Sequence, residues 1–258
     1  MKRRFRLALL FFTALLPGPL KRFVYRWVFG YRIGHNVRIG FALLDCMDLR
    51  IGDQSFISHA VTFLNCGEVQ IGDHVRIGPC NVFRGGEKIL LDDYSQLLRL
   101  NAINAIPDND CVNAPQSVFS LGYGSVVTAE HRIDFTDRVT IGRCTTIAGR
   151  NSSIWTHNRR TGSPVVIGDF CYVGSEVRFA PGVRIGDCCI VGLGSVISRG
   201  AVDGNWLIGG VPAKPIRRLR TEDYELIFTK TRPDLPESVL EDERNPFYKP
   251  LSSLFTGS

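Results

Sequence analysis

Residues 166–202 read VIGDFCYVGSEVRFAPGVRIGDCCIVGLGSVISRGAV, and their spacing decides the fold. Ile167, Val173, Ile185, Val191 and Ile197 recur in a six-residue register, with Phe179 filling the remaining slot. Four positions after each stands a small or β-branched residue: Cys171, Val177, Val183, Cys189, Ser195 and Ala201. Glycine follows the aliphatic residue at Gly168, Gly174, Gly186 and Gly192. A period of six matches neither the two of a strand nor the 3.6 of a helix, which leaves a stack of short strand-plus-turn units. Three such units close one triangular coil, and coils stack at a strand spacing of about 4.8 Å. The reading is an all-β solenoid.

Outward from this stretch the register is present but interrupted. Upstream it is visible at Ile33-Gly34, Ile39-Gly40, Ile51-Gly52-Asp53, Ile57, Ile71-Gly72-Asp73 and Ile77-Gly78, and again at Leu121-Gly122, Val127, Ile133, Ile141-Gly142 and Ile147. Residues 84–120 read as an excursion, with one repeat at Leu91-Asp92-Asp93-Tyr94-Ser95 and a polar segment containing Asp108, Asn109, Asp110 and Pro115. A second break falls between Asn151 and Pro164. After Val202 the repeat stops, and Thr221 reads as the N-cap of a helix through Phe228. The expected organisation is an N-terminal segment over 1–30, a solenoid over 31–220, and a C-terminal helix and tail over 221–258.

Charge is segregated. Of 31 Lys and Arg and 25 Asp and Glu, residues 1–44 hold nine basic and no acidic side chains, so the remainder is mildly acidic. A nucleic-acid binder would carry its basic stripe on the folded body, and this chain does not. Lys2, Arg3, Arg4 and Arg6 precede an apolar run from Leu7 to Leu16 that lacks a small-residue cleavage site and is too short to cross a bilayer. From Leu20 to Tyr31, Phe23, Val24, Trp27 and Val28 alternate with Lys21, Arg22 and Arg26 at helical spacing. Two readings stand: an amphipathic helix on an anionic membrane surface, or a helix covering the open end of the solenoid. The eight cysteines include Cys171 and Cys189 on small-residue positions, and no pair has zinc-ligand spacing, so reduced thiols and no metal are expected.

The aliphatic, glycine and small-residue pattern, together with Gly209-Gly210-Val211-Pro212-Ala213-Lys214 at its end, resembles the hexapeptide-repeat acyltransferases. The resemblance implies a left-handed parallel β-helix, although the general rule for parallel crossovers would give a right-handed one. It also implies acetyl-CoA as donor and a homotrimer whose active sites form between neighbouring solenoids.

Site residues follow from the same resemblance. His157, in the break before the long uninterrupted repeat, matches the general base that deprotonates an acceptor hydroxyl, a role that suits imidazole near neutrality. The backbone N–H of Ser175 matches the donor to the tetrahedral oxyanion. Leu193, Gly194, Ser195 and Ser198 match the pantetheine groove, and Lys214 and Arg217 match the contacts to coenzyme A phosphates. His131 and Asp134 resemble a pair found ahead of the catalytic coil in polysaccharide-modifying members, Asp134 either binding sugar hydroxyls or orienting His157. Trp155 joins them in the expected substrate site. The expectation is a cytoplasmic O-acetyltransferase acting on a sugar hydroxyl of a cell-surface polysaccharide or its lipid-linked precursor, with peripheral membrane contact through residues 1–30. A zinc enzyme of carbonic-anhydrase type would need a third histidine beside His131 and His157, and a noncatalytic scaffold would need neither.

Overall fold

Three ladders of parallel strands wind into a prism. The computed structural model describes residues 3–106, 116–158, 161–228 and 235–247. The first face begins at Arg32–Ile33 and climbs through Lys88–Leu91, Val118–Leu121, Val139–Ile141, Val165–Ile167 and Arg184–Ile185 to Ala201–Val202. The second runs from Arg38–Ile39 through Gln96–Arg99, Thr146–Arg150 and Ile190–Val191 to Trp206–Gly210. The third includes Val82–Arg84, Ala102–Asn104, Arg132–Asp134, Ser153–Ile154, Arg178–Phe179 and Val196–Ile197. Two long strands, Ala42–Ile51 and Val61–Ile71, turn the corner from the third face into the first. The register residues Ile167, Val173, Phe179, Ile185, Val191 and Ile197 all point into one continuous core. Parallel strands buried on the inner side alternate in and out at period two, and the corners stretch that alternation to six.

The corner from first to second face explains the Ile-Gly-Asp triplets. The Asp73 carboxylate accepts the backbone N–H of Asp53 at 2.6 Å, Asp93 accepts from Asp73 at 2.7 Å, and Asp187 accepts from Asp169 at 2.9 Å. Each carboxylate therefore ties its own coil to the one before. A Cβ on Gly52, Gly72 or Gly168 would lie 2.2 to 2.4 Å from the carboxylate oxygen of the next coil. Glycine is required there by space. Inside the same corner the small position forms a second ladder: Ser125 Oγ donates to Gly142 O, Thr145 Oγ1 to Gly168 O, and Cys171 Sγ to Gly186 O. The thiols thus replace hydroxyls in a polar column.

Several expectations need correction. The solenoid continues through 88–104, because Lys88–Leu91 pairs with both Glu68–Ile71 and Val118–Leu121, and Ala102–Asn104 pairs with both neighbours on the third face. Ile89, Leu91, Leu97 and Ile103 fill the core there without the marker glycines, so the coil is regular in space while its motif is absent. The polar residues Asp108, Asn109, Asp110 and Pro115 lie outside the described residues. Ala201 faces outward, since the last coil is one residue short and Val202 pairs with Ile185. Thr221 is the first residue of its helix, and Asp223 rather than Thr221 holds the preceding N–H, that of Arg220, at 2.7 Å.

Both helices before the solenoid lie over its first coil. Helix α1 spans Arg3–Leu15 and α2 spans Gly18–Trp27. With no coil beneath, the carbonyls of that coil would lack donors, and unpaired backbone groups are costly. Lys21 Nζ donates to Ile39 O and Gly40 O, Arg22 to Val37 O, Arg26 to Ile33 O, Tyr25 to Ala42 O, and Tyr31 to Leu44 O and Cys46 O. The end cap is the reading the contacts support for α2, and its basic residues are the donors.

The carboxylate ladder makes a direct prediction. Gly72→Ala places a methyl against the Asp93 carboxylate and the adjoining backbone, and should destabilise the fold by about 1–3 kcal/mol. Thermal unfolding of the variant beside the wild type checks this.

Candidate active site

The residues singled out in sequence fall on two edges of the prism. Trp155 and His157 follow the third-face strand Ser153–Ile154 and belong to the edge between third and first faces. Asp134 ends the strand one coil earlier, so the pairing of Ile133 with Ile154 sets it under Trp155. The imidazole turns back onto it: His157 Nδ1 lies 2.6 Å from Asp134 Oδ2. Asp134 also receives Thr156 N–H and Oγ1–H on Oδ2, each at 3.0 Å, and Thr136 Oγ1–H on Oδ1 at 2.7 Å. A carboxylate so placed can only accept, which assigns the imidazole proton to Nδ1 and leaves the Nε2 lone pair for a ligand. The ring is held and partly open, its side chain 20% exposed against 8% for Asp134.

A short loop presents this ring. Ser163 N–H donates to Thr156 O at 2.7 Å, His157 bridges Gly162, and Thr161 N–H donates to Asn158 Oδ1. The loop thus closes on itself beside the rod. Trp155 stands out from the edge, half exposed, next to His157. Thr136 and Thr156, which fix the carboxylate, were missed in sequence, where a threonine at a register break carries no distinguishing signal.

The other edge lies between second and third faces. Gly194 N–H donates to Ser175 O at 2.9 Å, so Ser175, Leu193 and Gly194 stack along it, and Leu193 is 81% exposed. Past the last coil, Trp206–Gly210 pairs antiparallel with Ala213–Arg218, and Lys214 opposes Gly209 at the end of that hairpin nearest this edge. Lys214 is exposed. The two edges stand at opposite ends of the strand Arg178–Phe179, and the five steps from Ser175 to Ala180, the first through a turn, span up to about 16 Å. Within one chain the structure does not bring His157 and Ser175 together.

Four other expected residues stand apart from the Leu193–Gly194 stack or are already engaged by the protein. Ser195 occupies the interior small position, its Oγ donating to Gly192 O at 2.6 Å. Ser198 follows Val196–Ile197 and lies on the His157 edge, away from Leu193. Arg217 is held by Asp223, with Nη2 at 3.1 Å from Oδ1, and that carboxylate is drawn down to about 2 chiefly by the guanidinium hydrogen bond. His131 is buried at the opposite end of the third face from His157. Its Nδ1 accepts Ser152 N–H at 3.1 Å and its Nε2 lies 3.0 Å from Thr128 Oγ1. It continues a polar column whose lower members are Asn81 and Asn101, the latter accepting His131 N–H at 2.9 Å. The two histidines therefore do not converge. An open groove of about 1190 Å³ runs along the first face from Tyr31 to Arg143 and is lined by neither His157 nor Ser175.

With the coil geometry established, comparison with known proteins is direct. The bacterial transferase hexapeptide model, of six repeats, matches residues 164–199. Over that stretch the chain is similar to the hexapeptide-repeat transferases. The fold is a parallel β-helix, consistent with the left-handed form that the resemblance implies. The galactoside O-acetyltransferase of Escherichia coli K12 is 26% identical over 114 residues, covering 43% of this chain and 56% of that protein. WbbJ of the same organism, named for O-acetyl transfer in lipopolysaccharide biosynthesis, is 35% identical over 105 residues, 33% of this chain and 53% of its own. The chain thus matches about half the length of these relatives. Among solved structures, the polySia-specific acetyltransferase NeuO aligns over 83% of this chain and 93% of its own at 18% identity, with a TM-score of 0.45.

Burial of His131 has a pH consequence. Loss of hydration pulls its imidazolium down to about 4, while an unfolded histidine titrates near 6.5. Between these values the unfolded chain binds a proton that the folded chain refuses, so this contribution is complete above about 6.5 and is lost as pH falls toward 4, about 3 kcal/mol in all. His131→Asn, which extends the Asn81–Asn101 column, should flatten the fall in melting temperature between neutral and mildly acid pH.

Proposed function

We propose that the chain is an acetyl-CoA-dependent O-acetyltransferase in which His157 is the general base and Asp134 its positioning partner. The observation that carries this reading is the partly exposed imidazole held by Nδ1 on a carboxylate that two threonines fix. His157 Nε2 takes the proton of an acceptor hydroxyl as its oxygen attacks the thioester carbonyl. The tetrahedral oxyanion accepts the Ser175 N–H, and collapse expels the coenzyme A thiolate, which recovers the proton from the imidazolium. Asp134 stabilises that imidazolium and fixes its tautomer. Leu193 and Gly194 line the pantetheine path, and Lys214 meets phosphate.

Because the two edges stand up to about 16 Å apart in one rigid chain, the reaction requires a neighbour, and we place the site at the seams of a homotrimer. Each seam joins the His157 edge of one copy to the Ser175 edge of the next, a head-to-tail contact that closes at three. The acceptor is a sugar hydroxyl of a cell-surface polysaccharide or its lipid-linked precursor, for which the exposed Trp155 ring beside the base offers an apolar platform. The names of the galactoside and lipopolysaccharide relatives support that class. Acetyl-CoA places the reaction in the cytoplasm, and a lipid-linked acceptor places it at the membrane face, in contact with residues 1–30.

Two measurements test this. Label from radioactive acetyl-CoA should enter an extracted lipid-linked glycan pool with the wild type and fall by about 10²–10⁴ with His157→Ala; equal labelling would leave a scaffold as the reading. The second tests the seam by mixing His157→Ala with a Leu193→Glu, Lys214→Glu chain. Each pool is inactive alone, and after dissociation and reassembly the mixture should recover about a quarter of wild-type activity, from seams that pair the two intact edges.

A further inference from the structure

The two N-terminal helices direct four basic side chains onto the solenoid end and leave a set of large apolar side chains outward. Arg6, Lys21, Arg22 and Arg26 turn inward to the first coil. Phe5, Phe12, Leu15, Leu20, Phe23 and Trp27 turn outward, Trp27 to 76% exposure. Of the two readings given for these residues, the contacts assign Lys21, Arg22 and Arg26 to the solenoid end and leave Phe23 and Trp27 outward. The arrangement has a cause: the terminal carbonyls can be satisfied only by donors from the cap, and the cap's donors are its basic residues. What remains outward is a set of large apolar side chains with Arg3 and Arg4 beside them, and exposed apolar patches mark interaction sites.

We propose that this outer face is the membrane-docking surface of the protein, seated in the headgroup and acyl boundary of an anionic bilayer so that the rod stands on its N-terminal end. Neither helix is long and apolar enough to cross, so the contact is with the surface of a bilayer and not through it. The charge argument separates lipid from a second copy. The hydrogen bonds of Lys21, Arg22 and Arg26 run to neutral carbonyls, and Arg3 and Arg4 stand exposed in a segment without acidic residues. Two such ends would repel, whereas phosphatidylglycerol-like headgroups complement them. Trp27 and Phe23, with ring centroids 6.2 Å apart, are side chains that favour the interfacial zone.

The docking fixes a height. Ile154 stands five ladder steps above Leu44 on the third face, which lifts the His157 edge about 24 Å above the terminal coil. Such a reach suits a sugar some units along a lipid-linked chain rather than the one beside the lipid. That step rests on the transferase reading; the docking itself does not.

Flotation of the full-length chain with vesicles tests the proposal. The wild type should rise with phosphatidylcholine vesicles containing phosphatidylglycerol, and Phe12→Ser with Trp27→Ser should lower the partition coefficient at least about tenfold at unchanged melting temperature. In a Trp155→Phe, Trp206→Phe background, Trp27 fluorescence should be quenched by brominated lipid. Wild type that stays with the unbound fraction, or a double variant that floats equally well, overturns the proposal. So does a wild-type assembly without vesicles that the double variant dissolves, which would assign the face to a second copy. None of these readouts depends on acetyl transfer, so the failure of either proposal is recognised without the other.

Discussion

In a stack of two- and three-residue strands, each coil's backbone is satisfied only by the coils above and below it. That single requirement shapes the chain more than any side-chain contact. Through the middle it is met automatically, as in Gly52 N–H to Ile71 O and Gly72 N–H to Leu91 O. At the corners the ladder would fail, and side chains complete it: aspartates on one corner, and a column of serine, threonine and cysteine just inside. At the N-terminal end no neighbour exists, and Lys21, Arg22, Arg26, Tyr25 and Tyr31 supply what a coil would have supplied. An unpaired buried carbonyl costs about 1–3 kcal/mol, so several together exceed what most domains hold in reserve.

The same requirement sorts what could be read from sequence. Wherever a corner takes the glycine and aspartate solution, the motif is printed in the chain, and the core positions Ile51, Ile71, Ile141, Ile167 and Ile185 were legible. Between 88 and 104 the coil closes with leucine and asparagine instead. Asn81 and Asn101 bond each other through the core, and the hexapeptide pattern vanishes although the geometry does not change. Histidine at position 131 was legible as an intruder in a small-residue slot. Its meaning was not, because only the stacked coils show that it inherits the asparagine column. Ser195 and Ser198 read as neighbours of one groove by resemblance, whereas the stacked coils set Ser195 in the interior and Ser198 on another edge.

His157 and Asp134 were legible as separate candidates, and their contact depends on a loop whose length sequence could not calibrate. The carboxylate is fixed by two threonines from two coils, each coil being held by the ladder beneath it. The precision of the dyad is therefore borrowed from the stack. A flexible scaffold would need a larger shell to hold one imidazole in one tautomer.

Rigidity imposes a limit as well. A prism of hydrogen-bonded coils has no hinge, so residues on different edges cannot approach one another by domain closure, the usual way of gathering catalytic groups. The distance from Ser175 to the Trp155 edge is set by strand length, and strand length is set by the core that Ile154 and Phe179 fill. Shortening the face would empty that core, and lengthening it would leave a void. Chemistry on such a rod must either fit on one edge or be shared between rods. Here His157 stands on one edge and Ser175 and Gly194 stand on another, so on the proposed reading the pairing of separate rods is what brings them together. The basic cap obeys the same logic at the end of the rod: where the stack cannot supply its own neighbour, a different partner must.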